Sequence, residues 1–494
     1  MQSSARISGG IRWVILSGLL LIFIQSTQKL PEYVADYAVW ADYVATGEAG
    51  YLCTFSSFSC IVMSSDYVLP ISVNNVVLPI SLRVILSYMR WLPLVILAGV
   101  PLWLAVQKRK IPRVLKRADT SIIVFLVYIL ISCAFSIDPN TSIQKVLSVF
   151  LMYGAVFWGV WIYVDEFGIE EIINIIIIAS AIVFGLHIIN AVVDPLGSFP
   201  YLGRFQGWTV NPGTAAGHAS LLLPLALWIA LQKSRWQYWL LVGSMLFVLI
   251  LSQTRTELVA AVIGSTYFLI RTYPKRIYIS LLSAISVLIM SYMWIEVGPR
   301  IFPQGTEFRL DHVGDTLLDN NLDSGEESNE LEMPELWYDR FNPRTAHAKT
   351  LAHRTDKWRL GLEYFLERPL QGFGFGTEGQ LFAYHDVNPQ DYQLSGAYMH
   401  NSYLGLLLQV GIVGAALFYV PLASLLFYEL FTTSKIHKKP LLTALLSVVI
   451  TCMVAGMFSS DLYSMGNAKS FVFWMSVMLL VRANNKSKDM SVDI

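Results

Sequence analysis

Four polar residues in segments outside the apolar runs or at their ends have side chains suited to chemistry on a charged substrate. His400 lies in MHNSYLGLLLQVGIVGA, Arg255 in SQTRTE, Arg354 in HRTDKW, and Arg204, a fourth candidate, in GRFQGWTVNPGTAAGH. The guanidinium fork of arginine binds phosphate oxygens in pairs. A histidine with a near-neutral pKa can take a proton from an attacking hydroxyl. Together on one face, such residues would suit group transfer from a lipid diphosphate to a hydroxyl.

Each of these residues also has a purely structural interpretation. An arginine at a membrane boundary is costly to hold unless it is paired or functional, and Glu257 could pair with Arg255. Asp356 is a poorer partner for Arg354, because residues two apart on a helix point in different directions. His400 could cap a helix or bond to a carbonyl. The sequence leaves both interpretations open.

The composition is that of a membrane protein. Apolar residues make up 55% of the chain and charged residues only 14%, whereas about one quarter of a soluble protein is charged. The mean hydropathy is +0.53. The formal net charge is zero and no basic domain is present, so the sequence indicates no nucleic-acid partner.

The elements that position the four residues are therefore membrane helices. The pattern predicts an all-α polytopic membrane protein with about twelve transmembrane helices and one long extracytoplasmic loop that carries a surface helix. Residues 1–295 are predicted to form an N-terminal bundle of about nine helices, residues 296–400 a periplasmic loop, and residues 401–494 the C-terminal transmembrane helices and a cytoplasmic tail. The predicted spans cover residues 11–27, 84–107, 119–137, 144–163, 170–193, 214–232, 236–252, 256–271, 277–295, 401–430, 441–459 and 468–482.

The distribution of basic residues predicts the orientation. Short cytoplasmic loops are enriched in lysine and arginine, and in this chain one set of alternate short loops and tails holds 19 of them. That set comprises Arg6, Arg12, Lys108, Arg109, Lys110, Arg113, Lys116, Arg117, Lys233, Arg235, Arg271, Lys275, Arg276, Lys435, Lys438, Lys439, Arg482, Lys486 and Lys488. The opposite short loops hold few, namely Lys29, Lys145, Arg204 and Lys469, with Arg83 and Arg255 at span edges. Both termini are therefore predicted to be cytoplasmic and the long loop to face the outer side of the membrane.

The long loop changes character along its length. Its acidic part, residues 306–335, is predicted to be flexible, because it is rich in like charges and poor in apolar residues. Residues 347–368 are predicted to form an amphipathic helix that Pro369 stops. The apolar face of that helix holds Leu351, Trp358, Leu362 and Phe365. The segment GFGFGTEG that follows supplies turn-forming glycines.

The cysteines indicate no metal site. Cys133 and Cys452 lie inside apolar runs and are interpreted as packing residues, while Cys53 and Cys60 share a polar loop. A disulfide between the latter two is left open, because spacing alone does not establish one. No cysteine or histidine pattern has zinc spacing. We expect neither a metal nor a cofactor.

Four blocks of the sequence resemble the O-antigen ligase and polymerase superfamily. They lie within residues 200–415 and read GRFQGWTVNPGTAA, LSQTRTELVAAVIG, RTDKW followed by ERPLQGFGFGT, and HNSYLGLLLQVGIVG. The resemblance implies a metal-independent glycosyltransferase that uses an undecaprenyl-diphosphate-linked glycan. It implies that His400 activates the acceptor and that Arg255 and Arg354 bind the donor diphosphate, with Arg204 as a further candidate. The long acidic insertion departs from many members and puts the acceptor in doubt.

Two activities of this superfamily remain open from the sequence. A ligase transfers the finished glycan to lipid A–core, and a polymerase joins glycan repeats on the same lipid carrier, so the acceptor is lipid A–core or a growing glycan. Either reaction, if it is a direct displacement, inverts the anomeric configuration. We expect a multi-pass protein of the bacterial cell inner membrane that contacts membrane lipids. The alternatives from other classes are a polysaccharide-lipid transporter and a scaffold that recruits partners through its acidic loop.

Overall fold

The chain is an integral membrane protein that is mainly helical, as the sequence predicted. The computed structural model describes residues 50–54, 59–64, 67–72, 91–92, 94–99, 117–199, 203–209, 211–301, 343–384, 399–431, 440–465 and 467–492. The predicted span 11–27, most of the span 84–107 and the acidic segment 306–335 lie outside these residues. A helix covers each of the other predicted spans.

The helices begin and end close to the bounds that hydropathy predicts. In chain order they are α1 (Arg117–Ser132), α2 (Pro139–Tyr153), α3 (Trp161–Phe167), α4 (Ile169–Val193), α5 (Pro195–Ser198), α6 (Pro212–Lys233), α7 (Trp236–Leu251), α8 (Arg255–Thr272), α9 (Ile277–Ile301), α10 (Pro343–Glu367), α11 (Glu378–Tyr384), α12 (Ser402–Phe431), α13 (Pro440–Ala455) and α14 (Ala468–Val492). A π-helical segment, Gly154–Val160, joins α2 to α3, and short 3₁₀ turns lie at Cys133–Phe135 and Pro274–Arg276.

Length and composition mark some of these helices as membrane spans. Among the described residues, four helical segments are long and apolar enough to cross a bilayer: Pro139–Phe167, Ile169–Val193, Pro212–Lys233 and Ser402–Phe431. Shorter apolar helices cover Asp119–Phe135, Trp236–Leu251, Ser280–Ile295 and Pro440–Ala455. The total of about twelve spans stays a prediction.

Several helix starts follow directly from the local sequence. Asp138 caps α2 and accepts a hydrogen bond from the Thr141 amide at 3.2 Å, with Pro139 at the first helical position. Asn211 caps α6 in the same way, accepting from the Gly213 amide at 2.7 Å. The first amides of a helix have no carbonyl acceptor within the helix, and a capping side chain before a proline accepts a hydrogen bond from one of them. The cap and the proline together therefore fix where each helix begins.

Three short strands form a small antiparallel sheet that hydropathy did not predict. They are β1 (Gly50–Thr54), β2 (Ser59–Ser64) and β3 (Tyr67–Ser72), paired in the order β1-β2-β3. Its register makes Cys53 and Cys60 direct cross-strand partners. The two cysteines of the polar loop are therefore neighbours in the sheet.

The described chain divides into two compact units. The first unit comprises Met1–Val183 and Phe365–Ile494, and the second unit is the intervening Phe184–Tyr364. The core of the first unit includes a cluster of rings in which Phe418 packs edge-on against Phe125 and Trp474. In the second unit, buried Phe205 packs against Phe199 and Phe247. The candidate residues described next belong to these two units.

Candidate functional site

The three candidate arginines all belong to the second unit. Arg204 lies in the loop between α5 and α6, Arg255 is the first residue of α8, and Arg354 lies in the middle of α10. Arg255 is exposed, and the other two are half-buried. The three arginines come from three separate elements, so only the folded chain brings them together.

Hydrogen bonds to backbone carbonyls hold the Arg204 loop against the junction of α7 and α8. The Arg204 Nε donates a hydrogen bond to the Ser252 carbonyl at 3.2 Å, and the Phe205 amide donates to the Leu251 carbonyl at 2.9 Å. From α9, the Trp294 Nε1 donates to the Gly203 carbonyl at 3.1 Å. Ser252 lies three residues before Arg255, so these contacts bring Arg204 to the start of α8.

Both Arg255 and Arg354 are close enough to act electrostatically on Arg204, so the three guanidinium groups are treated as one cationic cluster. Burial lowers the pKa of Arg204 from its ordinary value, and the charges of Arg255 and Arg354 lower it further. Burial also lowers the pKa of Arg354. Arginine nevertheless stays protonated at neutral pH. The cluster therefore carries positive charges that repel one another, and an anion would relieve that repulsion.

Glu257, which the sequence offered as a partner for Arg255, is directed into the helix bundle. Its side chain is 4% exposed, and its Oε2 accepts a hydrogen bond from the Ser220 hydroxyl of α6 at 2.7 Å. This bond ties α8 to α6. Arg255 is exposed at the beginning of the same helix.

His400 belongs to the first unit, where it lies immediately before α12. Its backbone is left-handed, with φ of 48°, a conformation that costs a residue other than glycine about 1 kcal/mol. The side chain is half-buried, whereas Met399 before it and Asn401 after it are buried. Such strained backbone persists only where the surroundings fix it.

The turn at His400 is fixed from its C-terminal side by a helix cap. The Asn401 Oδ1 accepts hydrogen bonds from the amides of Tyr403 at 2.9 Å and Leu404 at 3.1 Å, which is the geometry of an N-cap. Ser402 is tied to the end of α13, because its amide donates to the Gly456 carbonyl at 2.7 Å. Its hydroxyl also donates to the Ser459 carbonyl at 2.6 Å. The HNS sequence thus positions the histidine by capping and docking α12.

A buried polar network fixes the same turn from its N-terminal side. The Glu378 carboxylate accepts the Met399 amide through Oε1, and its Oε2 accepts the Gln409 Nε2 at 3.0 Å and the Tyr463 hydroxyl at 3.4 Å. The Gln409 Oε1 in turn accepts the Gly376 amide at 2.7 Å. Burial and the nearby Glu378 charge raise the pKa of Tyr463 well above its ordinary value. The phenol therefore remains a hydrogen-bond donor.

This network was not predicted from the sequence. Glu378 was included only as part of a glycine-rich turn, and Gln409 only as part of an apolar span. One signal was available, because a polar side chain such as Gln409 inside an apolar run is costly unless it has a partner. The identity of that partner depends on contacts between residues far apart in the chain.

Among the described residues, no group of three or more His, Cys, Asp or Glu side chains could hold a metal ion.

Comparison with known proteins identifies the region that contains most of these residues. Residues 240–419 match a family model described as O-Antigen ligase. The match includes Arg255, Arg354, Glu378 and His400, whereas Arg204 lies outside it. A search of curated proteins finds no match to the chain. Over residues 240–419 the chain is thus similar to the O-antigen ligase family, and three of the four blocks that indicated the superfamily resemblance lie within this region.

Proposed function

We propose that this protein is a membrane glycosyltransferase of the O-antigen ligase type. It transfers a glycan from undecaprenyl diphosphate to a sugar hydroxyl of lipid A–core, at the periplasmic face of a bacterial inner membrane. The matching family model supports a glycan-transfer reaction of the ligase and polymerase superfamily in general. The observation that carries the proposal is the cluster of Arg204, Arg255 and Arg354, because its charge suits a diphosphate.

The arginine cluster is proposed to bind the donor and to stabilise the leaving group. A guanidinium group donates paired hydrogen bonds to phosphate oxygens, and charge builds on the diphosphate as its bond to the sugar breaks. In the unliganded cluster the three positive charges oppose one another, so a diphosphate replaces repulsion with attraction. The cluster would therefore favour both donor binding and departure of undecaprenyl diphosphate.

His400 is proposed to act as the general base. The acceptor oxygen attacks the anomeric carbon and forms the new glycosidic bond, while the bond from that carbon to the diphosphate oxygen breaks. The hydroxyl proton passes to the His400 imidazole, and undecaprenyl diphosphate leaves with the bonding electron pair. A single displacement of this kind inverts the anomeric configuration.

The test uses purified full-length protein in detergent with an undecaprenyl-diphosphate-linked oligosaccharide. One sample receives lipid A–core and the other does not, and EDTA is present in both. A shifted lipid A–core band that requires the acceptor supports the ligase, and a product ladder without the acceptor would instead indicate a polymerase. No product in either sample, together with net movement of labelled lipid in liposomes, would indicate a transporter.

Replacement of the proposed base provides the first specific prediction. General base catalysis contributes about 10²–10⁴-fold to a rate, so His400→Ala should lose product by about that factor while the protein still purifies from the membrane. Wild-type turnover by this variant would disprove the role of His400. His437 is a suitable control, because it lies in a predicted cytoplasmic loop, and His437→Ala should keep wild-type turnover.

A further inference from the structure

Glu378, Gln409 and Tyr463 form a buried network whose hydrogen bonds are directional. Glu378 is 2% exposed, Gln409 is 2% exposed and Tyr463 is 7% exposed. The Gly376 amide donates to one end of the Gln409 side chain, so the other end must be its NH₂ group. That NH₂ group faces the Glu378 Oε2 at 3.0 Å. The carboxylate is thus surrounded by donors from Met399, Gln409 and Tyr463, as an ionised acceptor requires.

The packing around this network leaves no room for another side chain. Gly405 lies one turn before Gln409 on α12, and a Cβ at Gly405 would come within 3.0 Å of the Glu378 Oε2 and closer still to the Tyr463 hydroxyl. The glycine therefore permits the carboxylate to approach the α12 backbone. From that position the carboxylate reaches the Met399 amide, one residue before the strained turn at His400.

We propose that Glu378 is a positioning residue that holds the His400 turn in its left-handed conformation, through a carboxylate oriented by Gln409 and Tyr463. Glu378 holds the Met399 amide and Asn401 caps α12, so the backbone is fixed on both sides of His400. The histidine side chain is thereby directed by contacts that do not involve the imidazole itself. This inference rests on the proposed role of His400 as the base.

The direction of the hydrogen bonds gives a sharp test. In Glu378→Gln, one oxygen can still accept the Met399 amide, but the new NH₂ group faces the NH₂ group of Gln409. If Gln409 turns over to offer its oxygen, its own NH₂ group then faces the Gly376 amide. One donor therefore opposes another in either arrangement. A displaced catalytic group can cost ~10² in rate, so we expect kcat to fall by about that factor.

The double variant Glu378→Gln/Gln409→Glu should restore the activity. The new amide at position 378 accepts the Met399 amide and donates to the new carboxylate at position 409. That carboxylate also accepts the Gly376 amide, and it lies where the Gln409 Nε2 contacts the Tyr463 hydroxyl at 3.3 Å, so it can accept that hydroxyl as well. Each of these donors again has an acceptor, and the net charge is unchanged. We expect kcat within a few fold of wild type. The KM for the donor should stay near wild type in both variants, because the proposed donor-binding arginines are not part of this network.

The measurement is steady-state glycan transfer by wild type, Glu378→Gln, the double variant and His400→Ala, each checked for folding by size-exclusion chromatography and thermal unfolding. Wild-type turnover by His400→Ala would overturn the proposed function itself. An inactive His400→Ala beside a fully active Glu378→Gln would overturn only the positioning role. A folded double variant that stays as slow as Glu378→Gln would also overturn it, because Glu378 would then act in another way.

A milder variant keeps the proposal testable if the other two fail to fold. Tyr463→Phe keeps the ring and removes the hydroxyl, which donates to the Glu378 Oε2 at 3.4 Å and accepts from the Gln409 Nε2 at 3.3 Å. A several-fold lower kcat at unchanged KM would support the network. Kinetics identical to those of wild type would argue against it.

Discussion

At the scale of single residues, the candidate site depends on arginines whose charges oppose one another. A structural arginine is normally matched by a carboxylate, whereas Arg204 is destabilised by burial and by two neighbouring arginines. Such an arrangement costs stability in the unliganded protein, and natural proteins retain costly electrostatic arrangements mainly at functional sites. The interpretation of these residues as an anion site therefore follows from their mutual position and not from their residue type alone.

Arg354 and Arg359 give a matched pair for testing this interpretation. Both lie on α10, but Arg354 is half-buried in the cluster, whereas the Arg359 side chain is 80% exposed and lies 3.8 Å from Glu363. Hydrogen bonds to charged groups contribute about 1.5–3 kcal/mol. Arg354→Ala should therefore raise the donor KM by about tenfold to ~10²-fold. Arg359→Ala should change the KM by less than about twofold, since an exposed ion pair contributes little.

The conservative variant separates charge from geometry at the same position. Arg354→Lys keeps the positive charge but loses the paired donors, so its donor KM should lie between those of wild type and Arg354→Ala. KM is measured from initial rates over a range of lipid-linked oligosaccharide concentrations. Equal KM values for Arg354→Ala and Arg359→Ala would rule out donor binding by Arg354.

At the scale of elements, the kink of α12 positions the segment that carries Glu378. Gly411 has φ of 64° inside the helix, so the helical hydrogen-bond pattern is interrupted there. The carbonyls of Leu408 and Gln409 instead accept the amides of Phe373 at 3.2 Å and Gly374 at 2.8 Å. The glycine-rich segment thus supplies donors to carbonyls that the kink exposes, and it leads directly into Glu378.

Replacement of Gly411 should disrupt this docking. A Cβ at Gly411 would overlap the Leu370 carbonyl, and the left-handed backbone itself costs an alanine about 1–2 kcal/mol. We expect Gly411→Ala to lower the thermal unfolding temperature in detergent and to reduce turnover. Gly243 of α7 is the control, because nothing lies within 4 Å of a Cβ there. Gly243→Ala should be neutral or slightly stabilising, since alanine favours a helix. Equal stability of the two variants would show that the kink is not required.

The elements that the sequence could predict are those that depend on local patterns. Long apolar runs predict the helices, and proline and asparagine before them predict their starts, as at Asn211 and Pro212. The kink at Gly411 could not be predicted, because apolar residues continue on both sides of it. Nor could the network at Glu378, since its partners Gln409 and Tyr463 are 31 and 85 residues away in the sequence. Such pairings exist only once the helices have packed.

At the scale of the whole molecule, several contacts within each unit join helix ends that the predicted topology assigns to the same side. In the first unit, the Arg482 guanidinium bonds to Asp165 Oδ1 at 2.6 Å, and both residues are assigned to the cytoplasmic side. The Ile137 amide bonds to the Phe373 carbonyl at 3.0 Å, and both are assigned to the periplasmic side. In the second unit, Arg204 and Ser252 are likewise both assigned to the periplasmic side. These contacts support the alternation of loops, whereas the absolute orientation depends on the basic residues alone.

The orientation decides whether the proposed chemistry takes place outside the cytoplasm. Alkaline phosphatase is active only when it is exported, and green fluorescent protein fluoresces only when it folds in the cytoplasm, so fusions of the two report opposite sides. Phosphatase inserted after residue 320 of the full chain should be active, and phosphatase inserted after residue 435 should be inactive. Green fluorescent protein at the C-terminus should fluoresce. The opposite pattern would put His400 on the cytoplasmic side and rule out transfer at the periplasmic face. The predicted pattern would place the arginine cluster on the periplasmic side, where it would bind the lipid-linked donor. It would also show that the excess of lysine and arginine in alternate loops determines this orientation.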